Sequence, residues 1–270
     1  MVKLLRYSKT NTYLVKGDRS ALLFDTGWAG TFADFCRALG EAGETLQSIG
    51  AVLISHYHPD HMGIAQEIAN HGPVILTADV QKPFLHSADA VFAKEGTPFV
   101  PIKDEAVRFF GCAESRALLS EFGIDGEILP TPGHSDDSIS LCLDDGTILV
   151  GDLNPLYEFE CHAGTEIETS WKLLLSKNPR RVLYGHAREA VLRGDSEGNT
   201  EQSSPASEKE LYRLVSSIIK YIDKGFPLGK IHKKTGAPAE FIEQVTRMYL
   251  THQNVGVQGI LDRIELRKLF

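Results

Sequence analysis

Residues 51–61 read Ala51-Val52-Leu53-Ile54-Ser55-His56-Tyr57-His58-Pro59-Asp60-His61, and this stretch decides how the rest of the chain is read. Its first four residues form a short, unbroken apolar run, the pattern of a strand buried on both faces. Directly after it come four side chains able to hold a metal: His56, His58, Asp60 and His61. A chain that leaves a strand in extended form puts alternate side chains on one side, so His56 and His58 converge without any long-range closure. Pro59 then stiffens the turn that presents Asp60 and His61.

Working outward, further short apolar runs bounded by turn residues predict strands at 12–15, 21–24, 74–76, 138–143, 147–150 and 181–183. Helix-compatible stretches at 31–42, 62–70 and 169–176 lie between several of them. Strands and helices in this alternation predict one sandwich-like α/β domain. Residues 79–122 break the rhythm with a Phe-rich segment (Phe84, Phe92, Phe99, Phe109, Phe110, Phe122), read either as a lid or pocket wall or as a packed helical insertion. A polar stretch at 193–205 predicts an exposed linker. After it, Leu211, Leu214, Val215, Ile218, Ile219 and Ile222 share one face of a helix, a second helix is predicted at 239–251, and Ile260, Leu261 and Ile264 form an apolar tail. The expected organisation is a catalytic domain over 1–192, with 79–122 inserted, and a helical region over 206–270 packed on it as a wall over the site or a dimer contact.

The chain has 270 residues, 42% of them hydrophobic, and a net charge of −8. That balance offers no general pull on nucleic acid and favours a small-molecule substrate. From Glu208 onward eleven Lys and Arg face seven Asp and Glu, a mild local basicity in which Lys230, Lys233 and Lys234 read as a solvated helix face, so no nucleic-acid partner is expected. The opening MVKLLRYSKTNTYLV lacks the pattern of a signal peptide and no 18-residue apolar run occurs, which makes the cytoplasm the expected compartment, with no membrane partner. Cys36, Cys112, Cys142 and Cys161 form no C-x-x-C pair, so neither a thiolate zinc knuckle nor a redox dithiol is indicated.

Three more donors follow apolar strands or turns: His134 in Thr131-Pro132-Gly133-His134-Ser135, Asp152 in Val150-Gly151-Asp152, and His186 in Leu183-Tyr184-Gly185-His186. A catalytic zinc takes three protein ligands and a water. Seven nitrogen and oxygen donors are too many for one ion and suit two adjacent cations. Tyr184 and Tyr157 stand close enough in sequence to these donors to reach a substrate oxygen or leaving group, and Arg188 to bind an anion; His71, His86, His162, His232 and His252 have no spacing that singles them out.

The pattern His-x-His-x-Asp-His, followed by a distant His, an Asp and a final His, resembles the metallo-β-lactamase superfamily, and Asn11-Thr12-Tyr13-Leu14-Val15 and Leu23-Phe24-Asp25-Thr26-Gly27 resemble its first strands. The resemblance covers about residues 10 to 187. It implies an α/β fold, a four-layer αβ/βα sandwich of two mixed sheets flanked by helices, with the metals at one edge; the helical C-terminal extension has no counterpart in it. It implies that His56, His58 and His134 hold a first metal, that Asp60, His61 and His186 hold a second, that Asp152 bridges them, and that Asp25 orients the ligand loop from behind. The ions are expected to be zinc, with iron and manganese open to the same N,O donor set. The chemistry implied is attack by a metal-bound hydroxide, with Asp60, Asp152 and Tyr184 as the catalytic side chains; a divalent ion can bring the pKa of its water from ~15.7 to roughly 7. Hydrolysis of an ester-type bond, thioester or lactone, is the leading expectation. Phosphodiester hydrolysis is the rival within the same chemistry, and an iron-dependent sulfur dioxygenase or other oxidoreductase is the rival from another class. A binding protein without turnover has no support, because every position of the motif is filled.

Overall fold

The computed structural model describes residues 1–192 and 205–251. The predicted linker, except Pro205, and the apolar tail at Ile260, Leu261 and Ile264 lie outside the described residues, as does His252. The chain divides into two compact units, Met1–Asp195 and Ser196–Phe270.

In the first unit, β1 (Val2–Leu5), β2 (Thr12–Lys16) and β3 (Ala21–Phe24) form an antiparallel meander. Helix α1 (Phe32–Glu41) carries the chain to β4 (Ile49–Leu53), which lies parallel to β3. Two short helices, α2 (Pro59–Met62) and α3 (Ala65–Ala69), lead to β5 (Val74–Ala78), and α4 (Asp89–Glu95) to β6 (Val107–Phe110), both strands again parallel to their neighbours. These six strands form one mixed sheet in sequence order. After α5 (Ser115–Ser120) come β7 (Gly126–Pro130), β8 (Ile139–Leu143) and β9 (Thr147–Leu149), then α6 (Glu166–Ser176), β10 (Arg181–Leu183) and β11 (Ala190–Val191). They make a second mixed sheet ordered β11-β10-β9-β8-β7, parallel only between β9 and β10.

The layers follow from the two-residue alternation of strands. Along β4 and the residue after it, Val52 and Ile54 point to one side, where Phe35, Ala38 and Leu39 of α1 and Ala65 and Ile68 of α3 cover the sheet. Ala51 and Leu53 point to the other, where Ile128, Ile139, Leu141, Leu149 and Leu183 of the second sheet meet them. The far face of that second sheet, with Ile148 and Val182, packs on Trp171 and Leu174 of α6. Both faces of the central strands are therefore apolar, which is why the run at 51–54 shows no alternation in hydropathy. The result is the expected four-layer α/β sandwich: helices, sheet, sheet, helix.

The structure adds β1, β6, β7 and β11 to the strands predicted from sequence. It also shortens the helix predicted at 62–70 to α3, with α2 a separate turn that begins at Pro59. Gly63 lies between them, and a Cβ there would come within 2.6 Å of the Trp28 carbonyl carbon and 2.7 Å of the Gly27 oxygen, so the approach of that backbone requires glycine; the helical path is left at Ile64 (φ −119°, ψ 15°). Within 79–122, β6 completes the first sheet, Phe92 lies in the core beneath α1 and α3, and Phe110 and Phe122 lie between the sheets.

The second unit, among its described residues, holds α7 (Pro205–Asp223), α8 (Leu228–Thr235) and α9 (Ala239–Thr251) around Val215, Ile218, Ile231, Ile242 and Val245. Lys230 and Lys234 are exposed, yet their ammonium groups sit 3.9 Å and 5.7 Å from the ring centroids of Phe226 and Tyr221. Among the described residues, no helix is long and apolar enough to cross a membrane.

Candidate metal centre

Every predicted metal donor stands just past the C-terminal end of a strand. His56 to His61 follow β4, His134 follows β7, Asp152 follows β9 and His186 follows β10. Main-chain bonds between these ends hold the loops together: Ile139 N donates to Ser55 O at 2.8 Å, Gly185 N to Gly151 O at 2.7 Å, and Asn11 N to Gly185 O at 2.7 Å. Gly185 is required by space rather than conformation, because a Cβ there would fall 2.5 Å from Asp152 Oδ1 and 2.8 Å from His61 Cε1.

The seven donors meet in three overlapping groups, His56-His58-His134, His56-His61-Asp152 and Asp60-His61-His186, each with its ligand atoms within 4.8 Å of one another. His56 Nε2 and His134 Nε2 lie 3.0 and 3.1 Å from His58 Nδ1. On the other side, His186 Nε2 lies 2.9 Å from Asp60 Oδ2 and 3.2 Å from His61 Nε2. Asp152 reaches both: Oδ2 is 3.7 Å from His134 Nε2 and 3.5 Å from His186 Nε2, and Oδ1 is 3.2 Å from His61 Nε2. That Oδ1 approach lacks hydrogen-bond geometry, so Asp152 Oδ1 is a buried oxygen without a hydrogen-bond partner.

The electrostatics suit a cation. Burial pushes the Asp152 carboxyl up, but His61, His186 and His56 outweigh it and hold it far below the usual carboxylate range. Burial lowers His56 and His134, which stay neutral and keep a lone pair. Burial also opposes a proton on His61 and His186, yet Asp152 and Asp25 raise the first, and Asp60 and Asp152 the second. Ionised carboxylates and concentrated imidazoles in a low-dielectric edge form a ligand set for hard or borderline divalent ions.

A single buried carboxylate orients one imidazole of each triad. Asp25 has a left-handed backbone (φ 60°) and is fully buried. Its Oδ1 accepts Ser55 N–H at 2.6 Å; its Oδ2 accepts the Ser55 hydroxyl at 2.8 Å and His61 Nδ1–H at 2.9 Å. Since the Ser55 hydroxyl hydrogen goes to Asp25, its oxygen accepts from His56 Nδ1, 3.0 Å away. Both rings are thereby fixed with the lone pair on Nε2. His186 Nδ1–H donates to Lys9 O at 3.2 Å, which turns Nε2 toward Asp60.

Sequence reasoning missed the residues that tie the loops from behind. Asp137 accepts Tyr57 N–H at 2.7 Å, linking the His134 loop to the His56–His61 run. The buried amide of Gln81 donates to Ile54 O, Ser55 O and Asp137 O at 2.9, 3.3 and 3.1 Å and accepts Ala78 N–H at 3.1 Å. Asn11 Nδ2 donates to Tyr184 O and Ala187 O, steadying the His186 loop. Only the strand-like run Asn11–Val15 hinted at any of these.

The structure does not bring Tyr184 into the donor cluster. Its ring is buried near Trp171, burial raises its phenol, and its hydroxyl accepts Leu156 N–H at 3.2 Å. His86 is exposed between Asp89 and Asp104, His162 stands 3.5 Å from Glu158, and His71 stacks on Phe32. Arg188 is exposed, and the Tyr157 side chain lies outside the described residues.

A family model described as the Metallo-beta-lactamase superfamily matches residues 6–186. The Beta-lactamase-like protein 2 homolog of Drosophila melanogaster is 26% identical over 190 residues, covering 66% of this chain and 58% of its own length; the Caenorhabditis elegans homolog is 24% identical over 186 residues, covering 66% and 55%. The chain thus spans little more than half the length of these curated relatives. Among solved structures, BLEG-1 B3 metallo-beta-lactamase superposes with TM-score 0.55 and 21% identity, covering 71% of this chain and 94% of the other. An archaeal metallo-beta-lactamase superfamily protein from Sulfolobus tokodaii superposes with TM-score 0.54 and 16% identity, covering 77% and 93%. TTHA1623, solved in a di-iron-bound form, gives TM-score 0.53 and 22% identity, covering 71% and 94%. At these identities the structural likeness speaks to fold alone; the family match covers two thirds of the chain, and the chain belongs to the metallo-β-lactamase superfamily.

Proposed function

We propose that this protein is a metal-dependent hydrolase with two divalent ions, zinc first among them, that cleaves an ester-type bond, a thioester or lactone, in a small molecule. The observation that carries the reading is Asp152. It lies within 4 Å of imidazoles from both triads and keeps one buried, ionised oxygen without a hydrogen-bond partner. A buried charge left so is costly, and a cation on each side of the carboxylate removes the cost.

In this reading His56, His58 and His134 hold one ion, Asp60, His61 and His186 the other, and Asp152 neutralises charge between them. Such ions supply Lewis acidity toward the substrate carbonyl and acidify a water toward roughly pH 7. The protein's own groups do the rest. Asp25 and Ser55 hold His61 and His56 with Nε2 turned toward the ions. Asp60, about one third exposed and kept ionised against the pull of burial by His186 and His61 beside it, takes the proton the attacking water gives up. The water oxygen joins the acyl carbon, the carbon–sulfur or carbon–oxygen bond breaks, and the departing thiol or alcohol receives that proton from Asp60 Oδ2.

A panel of thioesters, lactones and phosphodiesters assayed with metal-quantified protein tests the proposal. Turnover of a thioester or lactone is expected, with loss on chelation and recovery with Zn²⁺, Mn²⁺ or Fe²⁺. Undiminished turnover by rigorously metal-free protein would overturn it.

A further inference from the structure

A cleft of about 220 Å³ opens against the first triad, with the ring of His58 as one of its walls. Pro59 and Tyr57 continue the wall on that side, and Phe84, Ala88 and Val91 of the 79–122 stretch form the other. The polar residues along it are turned to partners inside the protein. The Ser87 hydroxyl donates to Tyr57 O, the Ser135 and Ser138 hydroxyls pair with each other, the Tyr57 hydroxyl pairs with Thr77, and Asp137 accepts Tyr57 N–H. The lining therefore offers hydrocarbon contact where a substrate would enter. Val91, on the rim, is 39% exposed and adds apolar surface at the mouth of the cleft. The larger cavity of about 400 Å³, at Glu127, Asp144, Lys177 and Arg180, is lined by charge and contains none of the seven donors.

From this geometry we propose that the cleft receives one hydrocarbon arm of the substrate, with the scissile carbonyl at the metal centre beyond His58. The proposal rests on the hydrolase reading above and deepens it. At about 30 Å³ per water-sized group, the cleft takes an arm of about seven non-hydrogen atoms. Each methylene added within that length strengthens binding about fourfold, and methylenes beyond it reach solvent and add nothing. Phe84, Ala88 and Val91 are then the residues that set chain-length preference, through a part of the chain that supplies no metal donor.

Two measurements on the full-length, metal-loaded protein test this. In the first, acyl thioesters from acetyl to decanoyl share one leaving group, and a matched series of alkyl leaving groups shares one acyl group. One of the two series is expected to show kcat/KM rising about fourfold per methylene and levelling near seven atoms, and Val91→Glu, which puts a carboxylate on the rim, is expected to cut that gradient below twofold per methylene. In the second, calorimetric titration of the chelator-treated protein with n-alkanols from butanol to decanol is expected to show the same dependence on length without turnover. If nothing in either series is cleaved, the hydrolase reading fails, and the alkanol titration still reports on the cleft. Flat kcat/KM in both series, alkanol affinity independent of length, or a gradient that Val91→Glu leaves intact overturns the proposal.

Discussion

Replacing Asp25 with Asn alters no ligand and no contour, yet it should weaken both metal positions. Asn is one of the few residues that tolerates the left-handed backbone at this position, whereas Ala would add about 1–2 kcal/mol of strain, so Asn is the informative change. The amide oxygen must stay toward Ser55 N–H, which lies 2.6 Å from Oδ1; a flipped amide would oppose two donors. The amide nitrogen then occupies the place of Oδ2 and directs its two hydrogens at the Ser55 hydroxyl and His61 Nδ1, the groups now 2.8 and 2.9 Å away. His61 is forced to carry its proton on Nε2. Ser55, now an acceptor toward residue 25, turns its own hydrogen toward His56 Nδ1 and reverses that ring too. One Nε2 lone pair is lost from each triad.

Loss of a residue that orients metal ligands typically weakens binding 10–100-fold. Here each of two binding steps should weaken by that factor, about 1.4–2.7 kcal/mol per step. Competition of the metal-stripped protein with a chromophoric chelator for Zn²⁺ reads both steps, and near-ultraviolet circular dichroism checks that the fold persists. Ser55→Ala separates the contributions, because it cuts the link to His56 while Asp25 still accepts from His61; only the first-triad step should then weaken. Two dissociation constants within threefold of the parent in folded Asp25→Asn protein would refute the reasoning.

Two further outcomes follow from groups that are not themselves metal donors. Gln81→Leu leaves the Ile54 and Asp137 carbonyls and the Ala78 N–H without the partner they now have. At ~1–3 kcal/mol per orphaned buried group, partly recovered by relaxation, the loss is about 3–6 kcal/mol, and differential scanning calorimetry should show Tm lower by roughly 6–20 °C; a fall under 2 °C contradicts the role given to this amide. Glu44 is held at about 2 by Lys16, whose hydrogen bond is the larger, and by Lys3. Because its folded value lies below the ordinary one near 4.3, its stabilisation is complete above that value and is lost as pH falls from there through about 2. Urea midpoints of the parent and Glu44→Gln should differ near neutrality and converge below pH 2; a gap that persists there would show that the ion pairs are not its source.

The legible and illegible parts of this chain differ in how far their causes lie along it. The strand at 51–54 and the donors at 56–61 could be read together because one extended segment supplies both the burial and the convergence. The later donors could be read because each follows a short apolar run. Strand β6 could not, since Val107-Arg108-Phe109-Phe110 has Arg108 and Phe109 exposed, the latter under the Lys82 ammonium at 4.8 Å; what makes it a strand is pairing with β5. Nor could β7, which starts at Gly126 and ends at Pro130 and is an edge strand fixed by β8. Gln81 and Asp137 were silent for the same reason, since each acts on main-chain groups 26 to 80 positions away.

That division also separates the donors from the residues that surround them. The donors and Asp25 stand just past strand ends, and in the proposed function they govern how a bond is attacked. The 79–122 stretch does two things at once: Gln81 clamps the loops that carry His56, His58 and His134, and from Phe84, three residues further on, Phe84, Ala88 and Val91 wall the cleft beside them. Substrate fit and donor geometry are thus built on one short segment. A change in Phe84 or Ala88 that displaced the turn holding Gln81 would disturb metal binding as well as chain-length preference, whereas Val91, exposed on α4, should alter preference alone. Measuring metal affinity alongside the chain-length series for variants at all three positions separates wall from clamp: a Val91 variant that lost metal as readily as a Gln81 variant would show that the two are not distinct.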